Sequence, residues 1–385
     1  MEQSARSRRA AQGKGRSPAG QTGRRGTRRR RLGLAACAGL LLGATAAPVG
    51  ADTLVVVNKS GESVSFLDPE TGVSRGEFPS GPVPHEVAVS PDGSRALVTH
   101  YGSEERPGHS VQILDVAAGV ALGEIDLAPH GRPHGVAWLA DGRRAVVTTE
   151  AREALLLLDV DARRVLHAVP TGLETSHMVA VAPDGRRAWV AGIASGAVVA
   201  IDLDARRVVG RQATGEGAEG IAIAPDGRRL WAANREAGTV SVLDAASLEP
   251  QAELETGRMP IRVAFTPDGR RALVTSALSA RVEVFDAEGL ERVLRISTRN
   301  GFDRSRGRFL GGLFGLVPVP VGLLPVGPDR FWVSNTFAGE VALYEISEAA
   351  TAEASPGATP GLEARRVRTL RAGREPDGLA LSPLP

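Results

Sequence analysis

The stretch HMVAVAPDGRRAWVA, from His177 to Ala191, reads as one β-hairpin. Val179 and Val181 alternate with small residues on the first strand, Pro183-Asp184-Gly185 supplies the turn, and Trp189 and Val190 open a second apolar run. The same phrase recurs as HEVAVSPDGSRALVTH from His85, HGVAWLADGRRAVVTTE from His134, EGIAIAPDGRRLWAAN from Glu219 and IRVAFTPDGRRALVTS from Ile261. A weaker copy, VGLLPVGPDRFWVSN, starts at Val321, and a truncated one, DGLALSP, closes the chain from Asp377, which makes seven.

The turn aspartates Asp92, Asp141, Asp184, Asp226 and Asp268 are spaced by 49, 43, 42 and 42 residues. A unit of that length holds four short strands, as a propeller blade does, and is too long for helical-pair or leucine-rich repeats. Each unit also carries a third-strand signature, an apolar run ending in an acid: SVSFLD to Asp68, VQILD to Asp115, LLLLD to Asp159, VVAID to Asp202, VSVLD to Asp244, VEVFD to Asp286 and VALYE to Glu345. An Asp there suits a tight turn, because its carboxylate accepts backbone N–H groups just ahead of it.

The two counts of seven interlock. The N-terminal unit has strands at Thr53 to Val57, Ser63 to Leu67 and Gly72 to Phe78 but lacks a first strand, while Leu379 to Leu381 is a first strand with nothing after it. Joined, they complete one blade and leave no free sheet edge. The expected fold is therefore all-β: a seven-bladed β-propeller of four-stranded blades, its ring closed by the C-terminal strand pairing with the N-terminal blade. A repeat array grows as a single body, so residues 52–385 form one domain despite the length.

Residues 1–51 have the three parts of an export signal: an Arg-rich region ending at Arg28 to Arg31, an apolar segment from Leu32 to about Ala47, and small-residue cleavage sites at Ala44-Thr45-Ala46 or Val49-Gly50-Ala51. The apolar run is short and Gly-rich for a membrane span. A periplasmic or secreted protein is expected. Arg29-Arg30-Arg31-Leu32 loosely resembles a twin-arginine signal, and Leu34-Ala35-Ala36-Cys37 a lipoprotein box; a membrane tether is expected only if Cys37 is lipidated, against which too few apolar residues separate it from Arg31.

Charge follows the same boundary. Residues 1–31 hold eleven of the 46 basic residues and one of the 44 acidic, which leaves 35 basic against 43 acidic and a net charge of −8 in the remainder. That body lacks a basic footprint for nucleic acid. Cys37 is the chain's one cysteine, so a body cut from its leader has no disulfide, thiolate ligand or Cys-x-x-Cys-His attachment, and no covalent haem is expected.

The repeated Pro-Asp-Gly phrase followed by the x-Val-x-Val-Leu-Asp run resembles the YVTN-type β-propeller repeat of exported bacterial and archaeal proteins related to surface-layer and YncE-like propellers. The resemblance covers Thr53 to Pro385 and implies the fold. It says little about function, because propellers host binding proteins, lactonases, lyases and redox subunits alike.

In such a fold the Pro-Asp-Gly turns share one face, where their role is structural. On the other face His85, His134 and His177 directly precede first strands near the central channel, His100 ends a second strand, and His109 and His130 fall in loops; His167 lies on an outer strand. Glu219 and Arg262 occupy or adjoin the same position in later blades, and Asn58, Glu150, Asn234 and Asn335 end second strands. The expected ligand-binding rim is His85, His100, His134, His177, Glu219 and Arg262, with His85, His134 and His177 as the donors for a divalent metal, if one binds. An imidazole there serves equally well to cap a carbonyl.

Two insertions break the period. Thr298 to Val319 starts with arginines, including Arg304 and Arg306, and becomes FLGGLFGLVPVPV, a lid or docking loop led by Phe309 and Phe314. Ser347 to Ala364 is rich in Ala, Pro, Glu and Thr and reads as a disordered tether. A nucleophile elbow, Walker loop, metalloprotease helix and dinucleotide fingerprint are all absent. Three functions stay open: a non-catalytic, monomeric propeller binding a small molecule or protein on its rim; a lactonase-like hydrolase or lyase with a His or metal centre; and a redox-associated subunit with a non-covalent cofactor.

Overall fold

A computed structural model of the chain describes residues 52–299, 319–349 and 361–384. The leader with Cys37, the loop residues Arg304, Arg306, Phe309 and Phe314, and the middle of the second insertion lie outside these described residues. Among them, the helical segments are two three-residue 3-10 turns, Ala277–Ser279 and Thr336–Ala338; the rest is strand and turn.

Among the described residues, twenty-eight strands form seven four-stranded antiparallel sheets. Blade 1 is composite: β28 (Pro376–Ser382) lies innermost, followed by β1 (Thr53–Asn58), β2 (Ser63–Leu67) and β3 (Ser74–Pro79). The closing register pairs Leu54 with Leu381, Val55 with Ala380 and Val56 with Leu379. Blade 2 runs β4 (Pro84–Val89), β5 (Arg95–Gly102), β6 (Pro107–Asp115), β7 (Val120–Asp126), and blade 3 runs β8 (Pro133–Trp138), β9 (Arg144–Thr149), β10 (Ala154–Asp159), β11 (Arg164–Pro170). Blade 4 is β12 (Ser176–Val181), β13 (Arg187–Gly192), β14 (Ala197–Asp202), β15 (Arg207–Ala213); blade 5 is β16 (Ala218–Ile223), β17 (Arg229–Asn234), β18 (Thr239–Asp244), β19 (Pro250–Glu255). Blade 6 is β20 (Pro260–Phe265), β21 (Arg271–Ser276), β22 (Arg281–Asp286), β23 (Arg292–Ser297), and blade 7 is β24 (Pro320–Pro325), β25 (Arg330–Asn335), β26 (Glu340–Glu348), β27 (Leu362–Arg371).

The core lies between blades, which explains why the middle strands are apolar on both faces. Along β13, Ala188 and Val190 pack toward blade 3 while Trp189 and Ala191 pack toward blade 5. Along β10, Leu155 and Leu157 face blade 4 and Leu156 and Leu158 face blade 2. The two-residue period of a strand sends alternate side chains into two different clusters, and each large side chain so buried stabilises the ring by about 1.5–3 kcal/mol. Outermost strands alternate instead with solvent, as β15 does.

Turn chemistry fixes the strand ends. In the first turns, Gly93, Gly142, Gly185, Gly227 and Gly269 all take left-handed φ of 65–78°. The third-strand acid accepts the N–H groups ahead of it in six blades, for example Asp68 from Glu70 and Thr71, and Asp244 from Ala246 and Ser247. Two expected boundaries shift for the same reasons. Gly72, at φ 73°, belongs to the turn, so β3 starts at Ser74. Glu345 pairs with Arg330 and Arg365 instead of capping, so β26 runs on to Glu348 and pairs with Leu362, taking both ends of the second insertion into the sheet.

Candidate functional site

The site is made by a slip in register that every blade repeats. Immediately after the first residue of the innermost strand, one or two residues fall out of the ladder with the second strand. These bulges bring Asp377, His85, His134, His177 and Glu219 of blades 1 to 5 together; in blade 6 Arg262 reaches them, while Ile261 packs with Ala277 and Val319.

Second-strand hydroxyls hold the bulges. Thr99 Oγ1 accepts the Glu86 N–H at 3.0 Å, Thr148 Oγ1 accepts that of Gly135 at 2.9 Å, and Ser334 Oγ accepts that of Gly322 at 2.6 Å. The hydroxyls also tie neighbouring blades: Thr148 donates to the His177 carbonyl and Ser334 to that of Asp377. The strands approach so closely there that a Cβ on Gly322 would lie 2.1 Å from the Asp377 carbonyl oxygen.

Three imidazoles crowd together in the resulting ring, their planes tilted by 48° and 31° from one to the next. The His85 and His134 centroids are 4.1 Å apart and those of His134 and His177 are 3.5 Å apart. His134 is fully buried, and neither of its ring nitrogens has a hydrogen-bond partner. His177 Nδ1 is 2.7 Å from Glu150 Oε1, and its Nε2 is 3.6 Å from Glu219 Oε1. Glu150 also accepts the Tyr101 hydroxyl at 2.6 Å. His85 Nδ1 lies 3.1 Å from Asp377 Oδ2 without making a hydrogen bond.

Charges balance around these imidazoles. Arg262 reaches across the channel from blade 6 to Glu86 of blade 2 and stands 3.6 Å from Asp377 and 3.9 Å from Glu219. Arg235 binds Glu219 at 3.0 Å, and Lys59 meets Asp377 at 3.4 Å.

Neighbours drive the imidazoles apart in basicity. Burial, then the adjacent His177, His85 and Arg262, hold His134 well below its ordinary value, so it stays neutral with a free lone pair. Burial and Lys59 lower His85. Burial opposes the proton on His177 too, but Glu150 and Glu219 outweigh it and raise that pKa. Glu219 is itself lowered to about 2, the His177 and arginine charges overcoming its burial.

Of the expected rim, the structure brings together His85, His134, His177, Glu219 and Arg262. His100 stands apart. β5 continues two residues past it, and His100 accepts the Gly81 N–H through Nε2 at 3.0 Å while Nδ1 meets Ser110 Oγ at 2.9 Å. His109 is exposed beside Asp126. Asn58 and Asn234 bind side chains of their own blades' third strands. For the set His85, His134 and His177, the structure substitutes a tighter triple, His85, Glu86 and His134, with donor atoms within 4.8 Å of one another, but Glu86 is engaged by Arg262. Sequence reasoning missed Asp377, although it opens the truncated repeat at the same position as His85. It also missed Glu86, which stands in its phrase where Arg262 stands in that of blade 6, and Lys59, Tyr101 and Arg235, which no repeat phrase marks.

Residues 142–264 match the Cytochrome D1 heme domain family. That segment supplies Glu150, His177, Glu219, Arg235 and Arg262 to the site. No curated protein matches this chain. Among solved structures, hydrazine synthase of Kuenenia stuttgartiensis is similar at 21% identity and TM-score 0.62, over 76% of this chain and 91% of that one. A functionally unknown protein from Desulfotomaculum acetoxidans is similar at 15% identity and TM-score 0.65, over 86% of this chain and 98% of that one. The expectation of an unknown cofactor, a divalent metal being possible and covalent haem excluded, is corrected by the family match, which is to a haem domain. Lack of a Cys-x-x-Cys-His pair removes only thioether attachment, since haem iron is also held by an imidazole alone. The chain is thus a seven-bladed β-propeller whose blades 3 to 6 include a segment similar to a haem domain family.

Proposed function

We propose that this chain is an exported, redox-associated propeller of the YVTN repeat type that binds a haem-type macrocycle non-covalently at the imidazole centre of its ring. The observation that carries this reading is His134: a neutral, fully buried imidazole, flanked by two more, with neither nitrogen engaged. Buried polar atoms ordinarily find a partner, and a free imidazole lone pair is a donor that could hold a haem iron. The match over residues 142–264 supports the same ligand class, and the leader supports export.

Bound, such a group supplies a redox-active iron. The chain's own residues would hold it: His134 as donor, and exposed Arg132 with partly exposed Lys59 as cations for the carboxylates such macrocycles carry. Donor chemistry fits, but the three imidazoles crowd together at 3.5 and 4.1 Å, so binding has to part them. Titrating haemin into the purified mature protein tests this. Saturable binding with a Soret band distinct from free haemin, lost in His134→Ala and kept in His109→Ala, is expected; a spectrum that never departs from free haemin would end the proposal.

A second reading, a hydrolase or lyase, is favoured by the divergence between His177 and His134. Adjacent groups driven to opposite protonation states make an acid and base pair. Turnover of lactone or ester substrates that disappears in His177→Gln, without any Soret band in the wild type, would select it.

A further inference from the structure

Away from the ring, the same face carries a surface that its repeats do not account for. Leu278, on the 3-10 turn Ala277–Ser279 of blade 6, is 37% exposed. A groove of about 390 Å³ lies on one side of it and a groove of about 450 Å³ on the other. The ionisable residues lining the two are five arginines and one acid: Arg235, Arg258 and Glu236 in the first, Arg281, Arg295 and Arg299 in the second.

Their partners decide what this surface attracts. Arg235 is neutralised by Glu219 and Glu236, and Arg295 stands 3.8 Å from the buried Glu283. Arg258, Arg281 and Arg299 make no side-chain ion pair or hydrogen bond among the described residues. Three uncompensated guanidinium groups thus surround an exposed leucine, on a body whose net charge past residue 31 is −8. Half-buried Met259 lines the first groove and the buried Ile296 the second.

We infer that the Leu278 turn and its two flanking grooves form a docking surface for an acidic protein segment carrying an apolar residue. Arginine is enriched at interfaces and among their hot spots, the exposed leucine adds apolar area to bury, and the charge contrast with the rest of the body selects a negative partner and orients it. The surface requires nothing of whatever occupies the ring.

A fluorescent peptide of alternating Glu and Leu residues is the probe, with a Lys-for-Glu peptide and an oligothymidylate of equal charge as comparisons, read by anisotropy on the mature protein. Saturable binding of the acidic peptide that weakens with salt is expected. Combined Arg258→Glu, Arg281→Glu and Arg299→Glu substitution should weaken it by at least about tenfold. Leu278→Ser should weaken it several-fold with its salt dependence unchanged, and it stands as a second variant should the charge reversal fail to fold. Equal binding of the oligothymidylate, indifference to Leu278→Ser, concentration-dependent self-association that the triple variant abolishes in place of peptide binding, or no saturable binding would each overturn the inference.

Discussion

At the scale of the residue, position within the repeat predicts which side chains meet, and the partners contributed from elsewhere decide their protonation. His85, His134, His177 and Glu219 were visible because each opens the same phrase. Nothing in a phrase says that Glu150 and Glu219 bracket His177 while the acid near His134, Glu86, is engaged by Arg262, since those neighbours arrive through the ring. The consequence is measurable. A histidine whose pKa is depressed on folding, as for His85 and His134, contributes stability above its ordinary value near 6.5 and loses it as pH falls below. His177, raised, contributes below about 6.5 and loses that contribution as pH rises through its folded value. Below pH 6.5 the His177 contribution is already complete, whereas the lowered His85 and His134, with His100 and His130 elsewhere, act in that range, so unfolding free energy should drop between pH 6.5 and 5. In His134→Asn the drop should flatten by up to about 1.4 kcal/mol per pH unit. Urea midpoints at several pH values check this, and parallel curves for the two proteins would show that His134 protonates in the fold as easily as outside it.

At the scale of the element, strand ends were legible wherever one residue dictates the backbone, and illegible where a residue had to be compared with its counterparts. Asp at the end of a third strand marks a turn, and Glu345 in that place does not, because its longer carboxylate went to two arginines and the ladder continued. The hydroxyls of the second strands carried no signal as isolated Thr or Ser, yet they hold the bulges that aim the ring. Thr148 is the fullest case, accepting from Gly135 and donating to the His177 carbonyl. Thr148→Val keeps shape and leaves a buried N–H unpaired, which should cost about 1–3 kcal/mol in denaturant unfolding. Thr148→Ser should recover most of it. If valine is as stable as threonine, packing alone sets the bulge and the hydroxyl is incidental.

At the scale of the whole molecule, closure joins the two ends of the sequence and places Asp377 in the site at the same stroke. The composite blade was readable because a first strand without a blade and a blade without a first strand are complementary. Deleting residues 376–385 strips β28 from β1, uncovering the row from Thr53 to Asn58 as an edge and exposing its apolar side chains. Leu379 and Leu381, partly buried, pack against the cluster between blades 7 and 1, each for less than the roughly 1.5–3 kcal/mol of a fully buried leucine. Against a typical total of about 5–15 kcal/mol, that loss, together with an open edge, should abolish cooperative unfolding or bring aggregation. The deletion also removes the carboxylate facing His85, Lys59 and Arg262, so charge and closure must be separated. Asp377→Asn does this by keeping the strand while leaving three cationic or titratable neighbours short of a partner. It should fold cooperatively with reduced stability, where the deletion does not. Should the single substitution prove as damaging as the deletion in calorimetry, the ring would be held by its central ion pairs, and pairing between the ends would be their consequence.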